Sequence, residues 1–292
     1  MRERVIAVLC GLLAVTVGTG WRLAPDRPAA PPAAGEIQVE DLAGRTVTLR
    51  PPLNRIVLVR SRDVYELSLL LGDELDRRLV AWGPDLQTAD QDAYRAFLDR
   101  YPRLARIPVL GSVFADAVSA EAVLALKPDL VILDTVMSER GYRCVERLER
   151  AGLPLLYLDC SHDPLRDPQR SLRLLGKVLG QEEKARAATA FVEAELERVM
   201  GRLAGLKEPA PTVYLESGHR GVESYGNTYG YDGNRTLSSW GALMARLGCR
   251  NVAADLVASM GRINPEYLLA ADPDVIVITG ACWTECPGTM RL

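Results

Sequence analysis

Arginines, tyrosines and tryptophans recur in this sequence just past short apolar, β-branched runs. Arg60, Ser61 and Arg62 follow 55-RIVLV-59, Trp82 closes 79-LVAW-82, and Ser112 and Val113 follow 108-PVLG-111. Further on, Ser217, His219 and Arg220 follow 212-TVYLE-216, ahead of a Gly/Tyr segment carrying Tyr225, Asn227, Tyr229 and Tyr231. Met260 and Arg262 come next, and Trp283 lies past 275-VIVITG-280. Ligands of open α/β sheets bind outside the carboxyl ends of the strands, which makes these residues the candidate contacts. Guanidinium forks suit carboxylate or catecholate oxygens and aromatic rings suit an organic body, so the mixture fits an anionic chelate. Plainer readings compete. Arg60 and Arg62 could pair with Asp63 and Glu66, and the tyrosine segment could be an ordinary Gly-rich surface loop. His219 could ligate a metal, but a loop histidine with no such role outweighs that. Trp82 could be core, and Trp240 is read as core because it shares a helix with Leu243 and Leu247.

The elements that would position these residues alternate. A hairpin is expected around 41-DLAGRT-46, turned at Gly44. Strands follow at 55–59, 79–82, 108–111, 130–134 and 154–159, each an apolar run suited to burial on both faces. Helices are expected at 64–71, 91–101 and 143–152. From Asp167 to Leu206 the pattern is helical; Gly176 and Gly180 are expected to break its early part. The remainder, 181–206, would extend roughly 39 Å, enough to cross between domains. Strand 212–216 and a helix near 238–248 then resume the alternation. Strands interleaved with helices through short loops argue for a parallel sheet covered on both sides.

One sentence is written twice: 121-EAVLALKPDLVIL-133 and 266-EYLLAADPDVIVI-278. Glu opens each, with Leu at +3, Ala at +4, Pro at +7 and Asp at +8. Ser119 and Asn264 are suitable N-caps, Pro265 suits the first helical position, and Pro128 disfavours helical geometry at Lys127. The repetition marks two Rossmann-like α/β lobes with mainly parallel sheets joined by one long linker helix. After strand 130–134 the first lobe supplies another helix and strand; after 275–280 only twelve residues remain. The second lobe is therefore expected to be incomplete. The expected organisation is a signal peptide at 1–20, a Pro/Ala-rich leader at 21–36, an N-terminal lobe at 37–166, a linker region at 167–207 and a C-terminal lobe at 208–292.

Export is read from Arg2, Arg4 and the apolar run 5-VIAVLCGLLAVTVG-18, which is short for a membrane span, although an uncleaved anchor is an alternative. Composition is that of a globular protein, 48% hydrophobic and 25% charged over 292 residues. A net charge of -3 and a pI near 5.6 argue against nucleic-acid binding. The mature region holds Cys144, Cys160, Cys249, Cys282 and Cys286, an odd number that leaves at least one thiol free or bonded between molecules. With His162 and His219 as the histidines, a zinc site built on several histidines is not expected; two cysteines with one histidine could make a site, but their spacing follows no metal-binding pattern, and the reading is that there is no metal site. There is no G-x-S-x-G elbow, P-loop or G-x-G-x-x-G after a strand to indicate an enzyme.

The segments 41-DLAGRTVTLRPPLNRIVLV-59, 127-KPDLVIL-133 and 240-WGALMARLGCRNVAADLVASMGRINPEYLLAADPDVIVITG-280, with one long linker, resemble class III periplasmic binding proteins. These are the helix-hinged substrate-binding components of ABC importers for ferric siderophores, haem and cobalamin. The resemblance implies a monomeric, non-enzymatic periplasmic protein without a resident cofactor. It would carry a ferric siderophore or similar iron chelate, with cobalamin, haem, an oxyanion or a nickel chelate as alternatives. It also implies that Glu121 and Glu266, at matching positions of the two lobes, meet arginines of the membrane permease; the plainer role is stabilisation of a helix's first turn. Family members usually continue well past the point matching Leu292. From outside this class, an α/β enzyme or a membrane-tethered sensor domain competes.

Overall fold

The apolar runs become strands and the stretches between them helices. The computed structural model describes residues 35–207, 209–218, 225–231, 239–257 and 260–279. A hairpin comes first, β1 (Ile37–Glu40) antiparallel to β2 (Thr46–Leu49), turned where Gly44 adopts φ 75° and Asp41 accepts the amides of Ala43 and Arg45. Next in order are β3 (Ile56–Leu58), α1 (Val64–Leu71), α2 (Leu75–Arg78), β4 (Leu79–Trp82), α3 (Asp85–Ala89) and α4 (Gln91–Arg100). The expected strand at 108–111 reduces to a single bridge between Val109 and Trp82. Then come α5 (Ala120–Ala125), β5 (Leu130–Asp134), α6 (Thr135–Glu139), α7 (Arg143–Arg150) and β6 (Leu155–Leu158).

Strands β3 to β6 form one parallel sheet in the order β4-β3-β5-β6. Side chains alternate across a strand, and both faces are covered. Ile56, Leu58, Ile132 and Leu156 pack with Leu67, Leu70 and Leu175 on one side. Val57, Val131, Leu133 and Tyr157 pack with Val123, Val145 and Leu148 on the other.

The helical stretch is two helices, α8 (Asp167–Leu179) and α9 (Glu182–Ala204). Gly180 does break it, in the left-handed conformation at φ 67°, which glycine adopts without a Cβ penalty. Gly176 does not. It lies inside α8, where a Cβ would meet the Ala185 Cβ at 2.4 Å, so its smallness lets the two helices approach. Arg173 pairs with Glu193 across them at 2.6 Å. The 23 residues of α9 extend about 34 Å.

The second lobe contains β7 (Thr212–Ser217), β8 (Asn227–Tyr229), α10 (Ser239–Arg246), β9 (Arg250–Asn251), β10 (Met260–Arg262), α11 (Pro265–Ala271) and β11 (Val275–Thr279). Strand β7 is parallel to β11 and to β9 and antiparallel to β8, which is antiparallel to β10. The Gly/Tyr segment therefore holds a strand that was not expected. Trp240, expected in the core, is 40% exposed on α10. Among the described residues, no helix is long and apolar enough to cross a membrane.

Candidate functional site

At the carboxyl ends of β3, β5 and β6 the chain gathers Arg60, Asp63, Glu66, Asp134 and Cys160. Arg60 was expected to face a ligand. It is buried instead, donating from Nε to Asp63 at 2.9 Å and lying 2.8 Å from Asp134 through Nη2. Desolvating a guanidinium is costly unless carboxylates surround it, and here two do. Burial pushes the Asp63 carboxyl up to about 7 and raises that of Glu66. Glu66 accepts from the Cys160 thiol at 3.9 Å, and burial followed by the charge of Glu66 raises that thiol, which keeps it protonated and unreactive. Arg62 is half-exposed and engaged by Asp85 at 3.2 Å; the same carboxylate accepts the Ser61 amide and hydroxyl. Trp82 is 1% exposed and packs against Tyr94 in the core, so it offers no ring face to a ligand. Ser112 is partly buried and its carbonyl accepts the amides of Ala115 and Ala117 in a short turn.

Beside this cluster, His162 is held between Asp159 at 2.8 Å and Glu139 at 2.7 Å. The hydrogen bond that the imidazole donates to Asp159, against the effect of burial, raises it to about 9 and keeps it cationic at neutral pH. Sequence reasoning had not linked these residues. The signal was visible, since Asp134 and Asp159 directly close the apolar runs 130-LVILD-134 and 154-PLLYLD-159.

In the second lobe, Tyr225, Tyr229 and Arg262 come together at the carboxyl end of β7. Arg262 donates to the Tyr225 carbonyl at 2.9 Å, and Tyr229 OH lies 3.4 Å from Ser217 Oγ. Gly226, at φ 81°, donates its amide to Glu216, and a Cβ there would strike the Ile263 carbonyl at 2.6 Å. Tyr225 and Arg262 are exposed and Tyr229 is partly so. His219, Arg220 and Trp283 lie outside the described residues, as do Cys282 and Cys286. Arg246 on α10 reaches Asp163, in the loop after β6, at 2.7 Å and ties the lobes together.

The repeated motif builds the same object twice. Ser119 caps α5 by accepting the Ala122 amide at 3.1 Å, and Asn264 caps α11 by accepting the Glu266 amide at 2.8 Å. Lys127 and Asp272, at equivalent positions, both take positive φ (46° and 40°) to end their helices. Asp129 then accepts the amides of Asn54 and Arg55, while Asp274 accepts the amide and hydroxyl of Thr212. Each Asp thus staples the start of the neighbouring parallel strand, β3 or β7. Glu121 and Glu266 stand exposed in the first turns; a bond with its own backbone amide, and then the Ser119 hydroxyl, lowers the Glu121 carboxyl.

Among the described residues no group of three or more His, Cys, Asp or Glu is placed to hold a metal ion. A cavity of about 620 Å³ lined by Arg45, Thr48, Asp129 and Pro154 lies at the amino ends of β5 and β6, away from this cluster.

Residues 76–289, well over half of the chain, match the family described as periplasmic binding protein. This chain belongs to that family. It is a family of transporter substrate-binding proteins and not of enzymes. The TroA-like periplasmic binding protein FepB from Veillonella parvula is similar in structure, with TM-score 0.74 and 33% identity over 88% of this chain and 73% of that one. The vitamin B12-binding protein of Pectobacterium carotovorum is 25% identical over 164 residues, 56% of this chain and 55% of the relative. The Fe(3+) dicitrate-binding periplasmic protein FecB of Escherichia coli is 28% identical over 161 residues, 55% of this chain and 48% of the relative. The chain thus spans about half the length of these curated relatives.

Proposed function

We propose that this protein is the extracytoplasmic substrate-binding component of an ABC importer, capturing an iron chelate in the periplasm and delivering it to a membrane permease. The observation that carries this reading is the duplicated motif: each lobe presents a capped, exposed first-turn glutamate, Glu121 or Glu266, on a matching helix-turn-strand. A matched pair of carboxylates suits a two-fold-related partner surface bearing arginines. The exposed Tyr225 and Arg262 beside Tyr229 support contact with the organic body of a chelate. The iron-dicitrate relative favours iron as the metal, and the vitamin B12-binding relative favours a corrinoid as the second reading.

Native mass spectrometry of the protein taken from its own periplasm, with an absorption spectrum of the same sample, tests the proposal. A bound mass with the visible band of a ferric chelate is expected, and corrin absorption would select the second reading. A colourless protein that stays empty when titrated with ferric chelates and cobalamin overturns both.

A further inference from the structure

A further cavity, of about 290 Å³, opens between α1 and the linker helices α8 and α9. Its volume stands at the lower end of the range for small-molecule sites. The walls are apolar: Tyr65 and Leu69 of α1, Pro168 and Leu172 of α8 and Val192 of α9. Tyr65, Leu69 and Val192 are also exposed, so the cavity has an open rim. Two polar side chains join the lining, Glu66 of α1 and Gln169 of α8. Gln169 is 6% exposed and its Oε1 accepts no hydrogen bond. Oε2 of Glu66 is likewise buried without a donor, while its Oε1 takes the Cys160 thiol. Among the described residues four buried side-chain oxygens are left in this state, and two of them belong to this one lining. Folded chains rarely leave such groups unpaired, because each gives up its bonds to water without replacing them. Burial raises the Glu66 carboxyl and Arg60 already faces it, so an ammonium head has no settled counter-charge to meet. An uncharged N–H donor satisfies an acceptor oxygen without burying a charge. A primary amide carries two such donors on one nitrogen, and the apolar walls suit a short hydrocarbon body beside it.

We propose that this cavity is a second ligand site, for a small apolar molecule bearing a primary amide, whose N–H groups Gln169 and Glu66 receive. The head reaches these oxygens past Leu69, whose exposed side chain can turn aside. The site lies on the linker side of the first lobe and holds whether or not the protein carries an iron chelate.

Hydrocinnamamide, its methyl-ketone isostere benzylacetone and phenylpropylammonium put an amide, a donor-free and a cationic head on one body. Each is titrated into the purified protein by calorimetry, with saturation-transfer NMR as a second reading. Hydrocinnamamide is expected to bind with a Kd below about 1 mM and about tenfold or more tighter than either of the others, because the ketone leaves both oxygens unpaired. In Gln169→Met that advantage should fall to about threefold, with benzylacetone binding as before. Leu69→Trp, at an exposed position, should fill the cavity and remove binding of the amide and the ketone at unchanged circular dichroism. Benzylacetone or phenylpropylammonium binding as tightly as the amide overturns the assignment of the head, and an amide advantage unchanged in Gln169→Met removes the role given to that residue. Binding that survives Leu69→Trp places the site elsewhere, and a protein that binds none of the three probes has no such site.

Discussion

Strands β5 and β11 are the same sentence in two surroundings. Both follow a capped helix and a positive-φ turn, and both pair in parallel with a strand whose start is stapled by the motif's aspartate. Yet every residue of β5 is buried, whereas Val275, Ile276, Val277 and Ile278 are 38–56% exposed. The difference is in the neighbours. Strand β5 lies between β3 and β6, with α1 and α8 on one face and α5 and α7 on the other. Strand β11 has β7 on one side and no second partner among the described residues. Local sequence therefore dictates helix, turn and strand, while the rest of the lobe decides how much that strand contributes to stability.

The contrast can be broken by truncating equivalent side chains. Leu133→Ala in β5 removes a fully buried side chain and is expected to cost about 2–5 kcal/mol in denaturant unfolding. Ile278→Ala in β11, half-exposed, should cost under about 1 kcal/mol. Equal losses would mean that β11 is covered in solution.

The shared part of the motif should respond alike in both lobes. Asp129→Ala and Asp274→Ala each remove a carboxylate from the start of a strand, an effect of about 1 kcal/mol per lost bond. Hydrogen exchange at the amides of Arg55 and Thr212 should accelerate by similar factors. A response in one lobe alone would contradict the structural equivalence of the two copies.

A smaller effect sharpens the contrast through pH, because the first lobe holds the buried charges. His162, raised to about 9, contributes stability that is complete below its unfolded value near 6.5 and is lost as pH rises through about 9. Asp63, held protonated up to about 7, also loses its contribution as pH rises, here between about 4 and 7, because the unfolded carboxyl ionises first. The first lobe's melting temperature should therefore fall from mildly acidic to alkaline pH. His162→Gln should flatten the upper window and Asp63→Asn the lower. An upper window unchanged in His162→Gln would show that the imidazole is not held as described.

Much of this was legible in the sequence because parallel strands buried on both faces read as unbroken apolar runs, and α1, β4 and β5 fall where periodicity and caps put them. Strands β8 and β10 were not, since three residues that include Thr, Asn or Gly carry too little alternation to stand out from a loop. The carboxyl-end loops were legible as the place of the candidate site; which side chains are free there was not. Arg60 and Asp63 stand three residues apart, and only the approach of Asp134 shows that the guanidinium is engaged from two sides. Trp82 closes a strand, but Tyr94 of α4 covers its ring. Gly176 reads as a helix breaker until the facing Ala185 is seen.

The duplicated glutamates can be tested most directly by combining Glu121→Ala with Glu266→Ala and measuring uptake of the ligand found in the native protein, alongside affinity in the purified protein. In the proposed docking the exposed carboxylates meet the permease and not the ligand, so uptake should fall by an order of magnitude or more at unchanged affinity. Undiminished uptake by the double variant would contradict permease docking through the repeated motif.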